Sequence, residues 1–143
     1  MHNRIPRQYL DLLGAVPLFS ACSQSDLRAI AKLGTPIKVD EDTYLTTRGE
    51  PGREFFLVLD GVASCRIGKR EVKRFTTGGY FGELALLTGG VRTADVVAVT
   101  PMEVLVLDAR EFRSLLATSP KVAMKMLVNL AERLTIADAQ YTH

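Results

Sequence analysis

The chain has 143 residues, enough for one domain to bury roughly 70% of its unfolded surface without disulfide or metal staples. Its 47% hydrophobic and 24% charged residues are ordinary for a globular domain. The net charge of +2 argues against broad nucleic-acid binding driven by counterion release, though not against a local basic patch.

Residues 1–34 read as a helical N-terminal segment. Pro6 suits a first helical turn, and Tyr9, Leu10, Leu12 and Leu13 supply apolar contacts. SQSD marks a second helix, with Ser23 as cap and Asp26 at the reciprocal position of a capping box. Leu27, Ile30, Ala31 and Leu33 form its apolar stripe.

Residues 35–108 change period. TPIKV, YLTT, EFFLVL, VASCRI, EVKRF, TADVVAV and EVLVL are short β-like runs, each closed by turn residues. Runs this short and regular predict a β sandwich or roll rather than a parallel α/β sheet. Arg66, Lys69, Arg70, Lys73 and Arg74 surround a hairpin and read as a solvated turn.

Residues 109–139 return to helix. Asp108 and Glu111 form a second capping-box pattern, and Phe112, Leu115 and Leu116 make the buried face. Ser119 and Pro120 restart the helix. There Ala123, Met126, Leu127, Leu130, Leu134 and Ala137 keep helical spacing. Met124, Val128 and Ile136 widen that apolar surface beyond one stripe, so it wants a second cover: a ligand, a second subunit or a partner domain.

Cys22 and Cys65 are not in a CxxC and read as free thiols in a reducing compartment. No run reaches the ~18 apolar residues of a membrane span. The start MHNRIPRQYLDLLG lacks the apolar core of a signal peptide. A single cytoplasmic domain over residues 1–143 is expected. The two histidines, His2 and His143, lie at the extreme ends, which excludes a buried histidine metal site and a Ser–His or Cys–His nucleophile pair.

The segment FGELALLTGGVRTA, residues 81–94, carries one acid, Glu83, and one base, Arg92, among apolar and small residues. That could be a buried ion pair, a catalytic pair or a site whose two halves have different roles. ELALL has helix propensity over barely one turn. A turn of helix inside a roll exposes unpaired N–H groups that favour an anion. Arg92 adds a planar fork suited to phosphate, and Thr93 a hydroxyl donor. Glu83 is an acceptor fit for a sugar hydroxyl. A ligand with both a phosphate and a ribose would satisfy the two halves.

FGELALLTGGVRTADVVA resembles the phosphate-binding cassette of cyclic-nucleotide-binding domains, which reads FGE(L/I)AL, a short variable stretch, then R(T/S/A)A. RGEPGREFFLVLDGVA is similar to that family's earlier glycine signature, with Gly49, Gly52 and Gly61 at strand turns. The resemblance covers nearly the whole chain. It implies an α+β fold: an antiparallel β jelly roll of about eight strands, flanked by N-terminal helices and two C-terminal helices. It implies a sensor of a 3′,5′-cyclic nucleotide, cAMP favoured over cGMP, with no cofactor, no chemistry of its own and an effector or partner protein left unidentified. Arg92 would bind the exocyclic phosphate and Glu83 would accept from the ribose 2′-hydroxyl. Gly82 and the amides around Leu84 and Ala85 would complete the cradle. Thr93 would lie near the phosphate and a syn purine. Cys65 and Val72 would line the base pocket, and Arg133 would approach the base.

There are departures from the family pattern. Asp95 stands where many relatives have a neutral residue, and Val91 stands where a proline can precede the arginine. Ala137 and Asp138 replace the two hydroxyl residues that touch adenine in catabolite activator-type relatives. No helix-turn-helix follows the long helix within the chain, so no DNA-binding domain is expected in it. A homodimer through that helix is one expected assembly. The competing reading is a degenerate, non-binding relative acting as a protein-interaction or dimerisation module. A roll-shaped metalloenzyme would need clustered histidines and carboxylates, which the strands lack.

Overall fold

The computed structural model describes residues 5–141, with side chains described as far as Ile136 in the last helix. The ends bearing His2 and His143, and the side chains of Ala137 and Asp138, lie outside the described residues. Three helical pieces come first: α1 (Arg7–Gly14), a short 3-10 turn at Pro17–Phe19, and α2 (Gln24–Leu33). Ser23 and Asp26 form the expected reciprocal cap of α2, with bonds of 2.9 and 3.1 Å.

Eight strands follow: β1 (Thr35–Val39), β2 (Tyr44–Thr46), β3 (Glu54–Asp60), β4 (Ala63–Ile67), β5 (Arg70–Phe75), β6 (Tyr80–Phe81), β7 (Asp95–Ala98) and β8 (Met102–Asp108). They form two antiparallel four-stranded sheets, β1-β8-β3-β6 and β2-β7-β4-β5, that face each other as a jelly roll. A single helical turn and a half, α3 (Glu83–Thr88), interrupts the roll between β6 and β7. Helices α4 (Ala109–Thr118) and α5 (Pro120–Tyr141) close the chain.

EFFLVL is apolar at nearly every position because β3 is buried on both faces. Phe56 and Val58 point between the sheets, against Val96, Val104 and Phe81. Phe55, Leu57 and Leu59 point the other way, into a second core with Leu13, Phe19, Ile30, Phe112 and Met126 from the helices. Phe55 stacks on Phe112 with ring centroids 5.0 Å apart. The helices are therefore fixed to the back of the sheet whose front face lines the roll.

Two features differ from expectation. The turn through Gly78 and Gly79 leads into a two-residue strand, β6, that pairs with β3. Two residues are too few to give a periodic signal. The second difference is the packed face of α5, which is Val122 and Met126 with Leu130 half-buried, whereas Leu127 and Leu134 are exposed along with Met124, Val128 and Ile136. The apolar spacing admitted two stripes, and the position of α5 after α4 selected the one through Val122. No helix among the described residues is long and apolar enough to cross a membrane.

Candidate functional site

The site is built where β6 ends. Gly82 has φ +97°, in the left-handed region, and turns the chain from β6 into α3. A Cβ there would meet the Glu54 carbonyl oxygen at 2.6 Å and Arg92 Nη1 at 2.9 Å. This one glycine thus allows both the turn and the approach of Arg92. Gly52 also makes room for the arginine, since a Cβ on it would collide with Ala85 Cβ and come within 3.3 Å of the Arg92 guanidinium.

The β2–β3 loop holds the Arg92 backbone from outside. Gly49 N–H donates to the Arg92 carbonyl (2.9 Å), Arg92 N–H to the Glu50 carbonyl (2.8 Å), and Pro51 bridges Val91. Thr46 Oγ1 donates to the Ala94 carbonyl at 3.0 Å, fixing the other end. The glycine signature and the acid–base segment are therefore two sides of one structure.

Arg92 is 7% exposed and Glu83 is 4% exposed, yet they do not pair with each other. Arg92 donates through Nη1 to the Gly82 carbonyl (3.2 Å) and through Nη2 to the Glu54 carbonyl (2.7 Å). Two of its five N–H donors are so used. The Phe56 ring lies beneath it, 5.9 Å from centroid to guanidinium carbon, a contact that favours the cation. Burial pushes the Arg92 guanidinium below its ordinary value, while the nearby Glu54 and Glu83 charges pull it back up. It remains charged, since nothing short of extreme alkalinity deprotonates an arginine. Glu83 instead receives Arg133 Nη2, from α5, at 2.8 Å.

Both groups face one open cavity of about 110 Å³, room for several waters or part of a small ligand. Gly82, Glu83, Leu84, Ala85, Arg92, Thr93, Cys65 and Arg133 all line it. The first amides of α3, which have no intrahelical acceptor, border the same space. Val72 is absent from its lining and stands 46% exposed on β5. The reason is a bulge: Cys65 pairs with Lys73 and Arg66 with Glu71, so Val72 is the extra residue. A one-residue slip moves a side chain to the other face. Phe75 takes the inward position, with Lys73 Nζ 5.0 Å from its ring centroid.

The cavity has walls that sequence reasoning did not name: Thr46, Phe75 and Tyr80. For Phe75 the signal was available in the alternation of EVKRF against the inward Cys65. For Tyr80 it lay only in its neighbour Phe81, which had to face the core. Burial raises the thiol of Cys65, with Lys73 opposing that shift, and raises the phenol of Tyr80. Asp95 directs its carboxylate away from the cavity, accepting the Arg48 backbone N–H at 2.8 Å. Among the described residues no group of three or more His, Cys, Asp or Glu is placed to hold a metal ion.

The arrangement can therefore receive an anion at Arg92 and a hydroxyl at Glu83, side by side. Comparison with known proteins gives the same direction. Residues 36–119, more than half of the chain, match the family model of the cyclic nucleotide-binding domain. The chain is 31% identical over 118 residues to a putative potassium channel protein of Rhodopseudomonas palustris, covering 80% of this chain and 29% of that protein. It is 35% identical over 112 residues to a cAMP-dependent protein kinase regulatory subunit of Colletotrichum orbiculare, covering 77% and 29%. The chain thus spans under a third of the length of these relatives. Among solved structures, a protein kinase A regulatory-subunit domain bound to Sp-2Cl-cAMPS superposes with a TM-score of 0.78 at 26% identity, covering 92% of this chain and 90% of that one.

Proposed function

The chain belongs to the cyclic nucleotide-binding domain family, and from that premise we propose that it binds cAMP, in preference to cGMP, and signals through α5. The observation that carries this reading is that Arg92 and Glu83 are both buried, face one cavity and are not spent on each other. A structural ion pair would have joined them.

The roles follow from the donors and acceptors present. Arg92 offers its remaining N–H groups to the cyclic phosphate, with the amides of Glu83, Leu84 and Ala85. Glu83 accepts from the ribose 2′-hydroxyl with its carboxylate, which Arg133 also engages in the free protein. Thr93 and Cys65 bound the space left for the purine. Similarity to a cAMP-dependent kinase subunit and to a domain bound to a cAMP analogue supports cAMP as the ligand. Thr93 offers a hydroxyl that can also meet a guanine amino group, so cGMP is the weaker alternative rather than an excluded one.

The reading needs no cofactor and no covalent step. A cytoplasmic setting suits the free thiols Cys22 and Cys65. The signal is a population shift: the nucleotide favours one position of α5 over another. A ligand that binds one state only, at 100 times its dissociation constant, supplies about 2.7 kcal/mol toward it. The exposed Met124, Leu127, Val128 and Leu134 on α5 offer the receiving surface, for a second copy of the chain or for an effector.

Isothermal titration with cAMP and cGMP, on wild type and Arg92→Ala, tests the reading. Saturable binding that is stronger for cAMP and lost in Arg92→Ala is the expected result. No heat and no thermal shift at millimolar nucleotide would overturn it in favour of a non-binding interaction module.

A further inference from the structure

Helix α5 meets the roll in two different ways along its length. Its first turns are anchored in the core by Val122 and Met126. From Ala131 to Ile136 every side chain is exposed. Beneath that outer stretch lies an open cleft of about 370 Å³, with Asn129, Glu132, Arg133 and Ile136 on the helix side and Thr76, Gly78 and Tyr80 on the other. Two polar bonds bridge this cleft: Asn129 Nδ2 donates to the Tyr80 hydroxyl at 2.8 Å, and Arg133 Nη2 donates to Glu83 Oε1 at 2.8 Å.

Asn129 and Arg133 are one helical turn apart and share a face. Tyr80 is a stiff post, because its ring packs on the fully buried Phe55, centroids 5.7 Å apart. Arg133 by contrast is half-exposed on a long flexible stem, and an ion pair of that kind has little strength of its own. What places Arg133 over Glu83 is the height and rotation of the helix, and beside the half-buried Leu130 the polar contact that fixes these is Asn129 on Tyr80.

We propose that the bond between Tyr80 and Asn129 is a positioning device that sets nucleotide affinity through Arg133, and not through any contact of the Tyr80 hydroxyl or the Asn129 amide with the nucleotide. By holding Arg133 on Glu83 it keeps the ribose-accepting carboxylate partly engaged in the free protein, so the ligand competes with the clasp. This rests on the cyclic-nucleotide reading of Glu83. Loss of one such hydrogen bond tightens binding by roughly two- to tenfold, the range of one neutral bond expressed as an equilibrium constant.

The experiment measures cAMP affinity by titration, and amide exchange of residues 127–136 in the nucleotide-free protein. The variants are Tyr80→Phe, Asn129→Ala, their double, and Tyr80→Phe in an Arg133→Ala background. Tyr80→Phe keeps the ring and its packing. Each single variant is expected to bind cAMP more tightly and to exchange faster, the double no more than either single. The effect of Tyr80→Phe on affinity is expected to vanish without Arg133. Additive effects, an affinity that is unchanged or weaker, or an effect that survives Arg133→Ala would overturn the proposal. Should wild type take up no cAMP, the reading of the site falls by itself. Exchange then decides the clasp: equal, non-additive loosening supports it and unchanged exchange overturns it.

Discussion

Glu83 and Arg92 share one cavity, and each is bound to something other than its neighbour. Arg92 is fixed by the backbone carbonyls of Gly82 and Glu54, Glu83 by Arg133 of α5. Buried charges need such partners, because taking an ion from water without compensation costs several kcal/mol. The two solutions differ in kind. The carbonyls at the ends of β3 and β6 cannot leave, so Arg92 is a fixed donor array. Arg133 belongs to a helix and can leave, so Glu83 is the adjustable half of the site.

The adjustable half gives a test of ligand chemistry. A 2′-deoxy analogue of cAMP presents no hydroxyl to Glu83 and leaves a buried carboxylate less satisfied. Its binding is expected to be weaker by about 1–3 kcal/mol, the usual cost of an unmet buried polar group. Glu83→Gln should shrink that difference, since a neutral amide gains less from the hydroxyl than a carboxylate does. Titration of both ligands against both proteins checks this. Equal affinity for the ribose and deoxyribose forms in wild type would remove Glu83 from the ligand.

The fixed half depends on Gly82. Alanine there must hold φ near +97° and push its Cβ into the Glu54 carbonyl and Arg92 Nη1. Strained backbone of this type costs of order 1–3 kcal/mol. Gly82→Ala is expected to lower unfolding stability by that amount and to weaken cAMP at least about tenfold, because the shift falls on the phosphate donor itself. Denaturant unfolding and titration on one preparation read both. Loss of stability without loss of affinity would mean that Arg92 tolerates displacement.

Apart from the 3-10 turn and the two-residue β6, the order of elements, the two capping boxes and the acid–base segment were legible because each rests on local spacing. Ser23 with Asp26 and Asp108 with Glu111 are satisfied within four residues. Most of the cassette was legible for the same reason: residues 82–85 and 92–93 lie on one short path around the cavity. Val72 was not, since its facing depends on a bulge between two strands that no run of residues announces. The bond between Tyr80 and Asn129 joins positions 49 residues apart and could come only from the docking of α5. The pairing of Glu83 with Arg133 rather than Arg92 is of the same kind.

Cys65 reports on the cavity directly. It lines the cavity, while Cys22 packs against the helical core. Burial raises both thiols. The thiolate is the reactive form, so alkylation by iodoacetamide should be slow near neutral pH and speed up past the ordinary thiol range of about 8.5. Saturating cAMP is expected to slow modification of Cys65 and to leave Cys22 unchanged. Peptide mass spectrometry separates the two rates. Equal protection of both would indicate a general tightening of the fold, and protection of neither would put the ligand elsewhere.

Tyr9 carries a buried hydroxyl with no hydrogen-bond partner among the described residues, on the helix that packs against the back of the roll. Burial, with the Glu103 charge adding to it, pushes its phenol up to about 12. The neutral form is the one the fold accepts. Stability tied to that neutrality is present below pH 10, where the unfolded tyrosine is also neutral, and is lost as pH rises from about 10 to about 12. Tyr9→Phe removes both the unpartnered hydroxyl and the titration. At pH 7 it is expected to stabilise the domain by about 1 kcal/mol, raising Tm by about 3 °C. Its advantage over wild type should then widen as pH climbs from about 10 toward about 12. Thermal melts of the two proteins across that range supply the measurement. A constant difference would mean that Tyr9 ionises as readily in the fold as in the unfolded chain. A lower Tm for Tyr9→Phe at pH 7 would mean that the hydroxyl has a partner worth more than its burial costs.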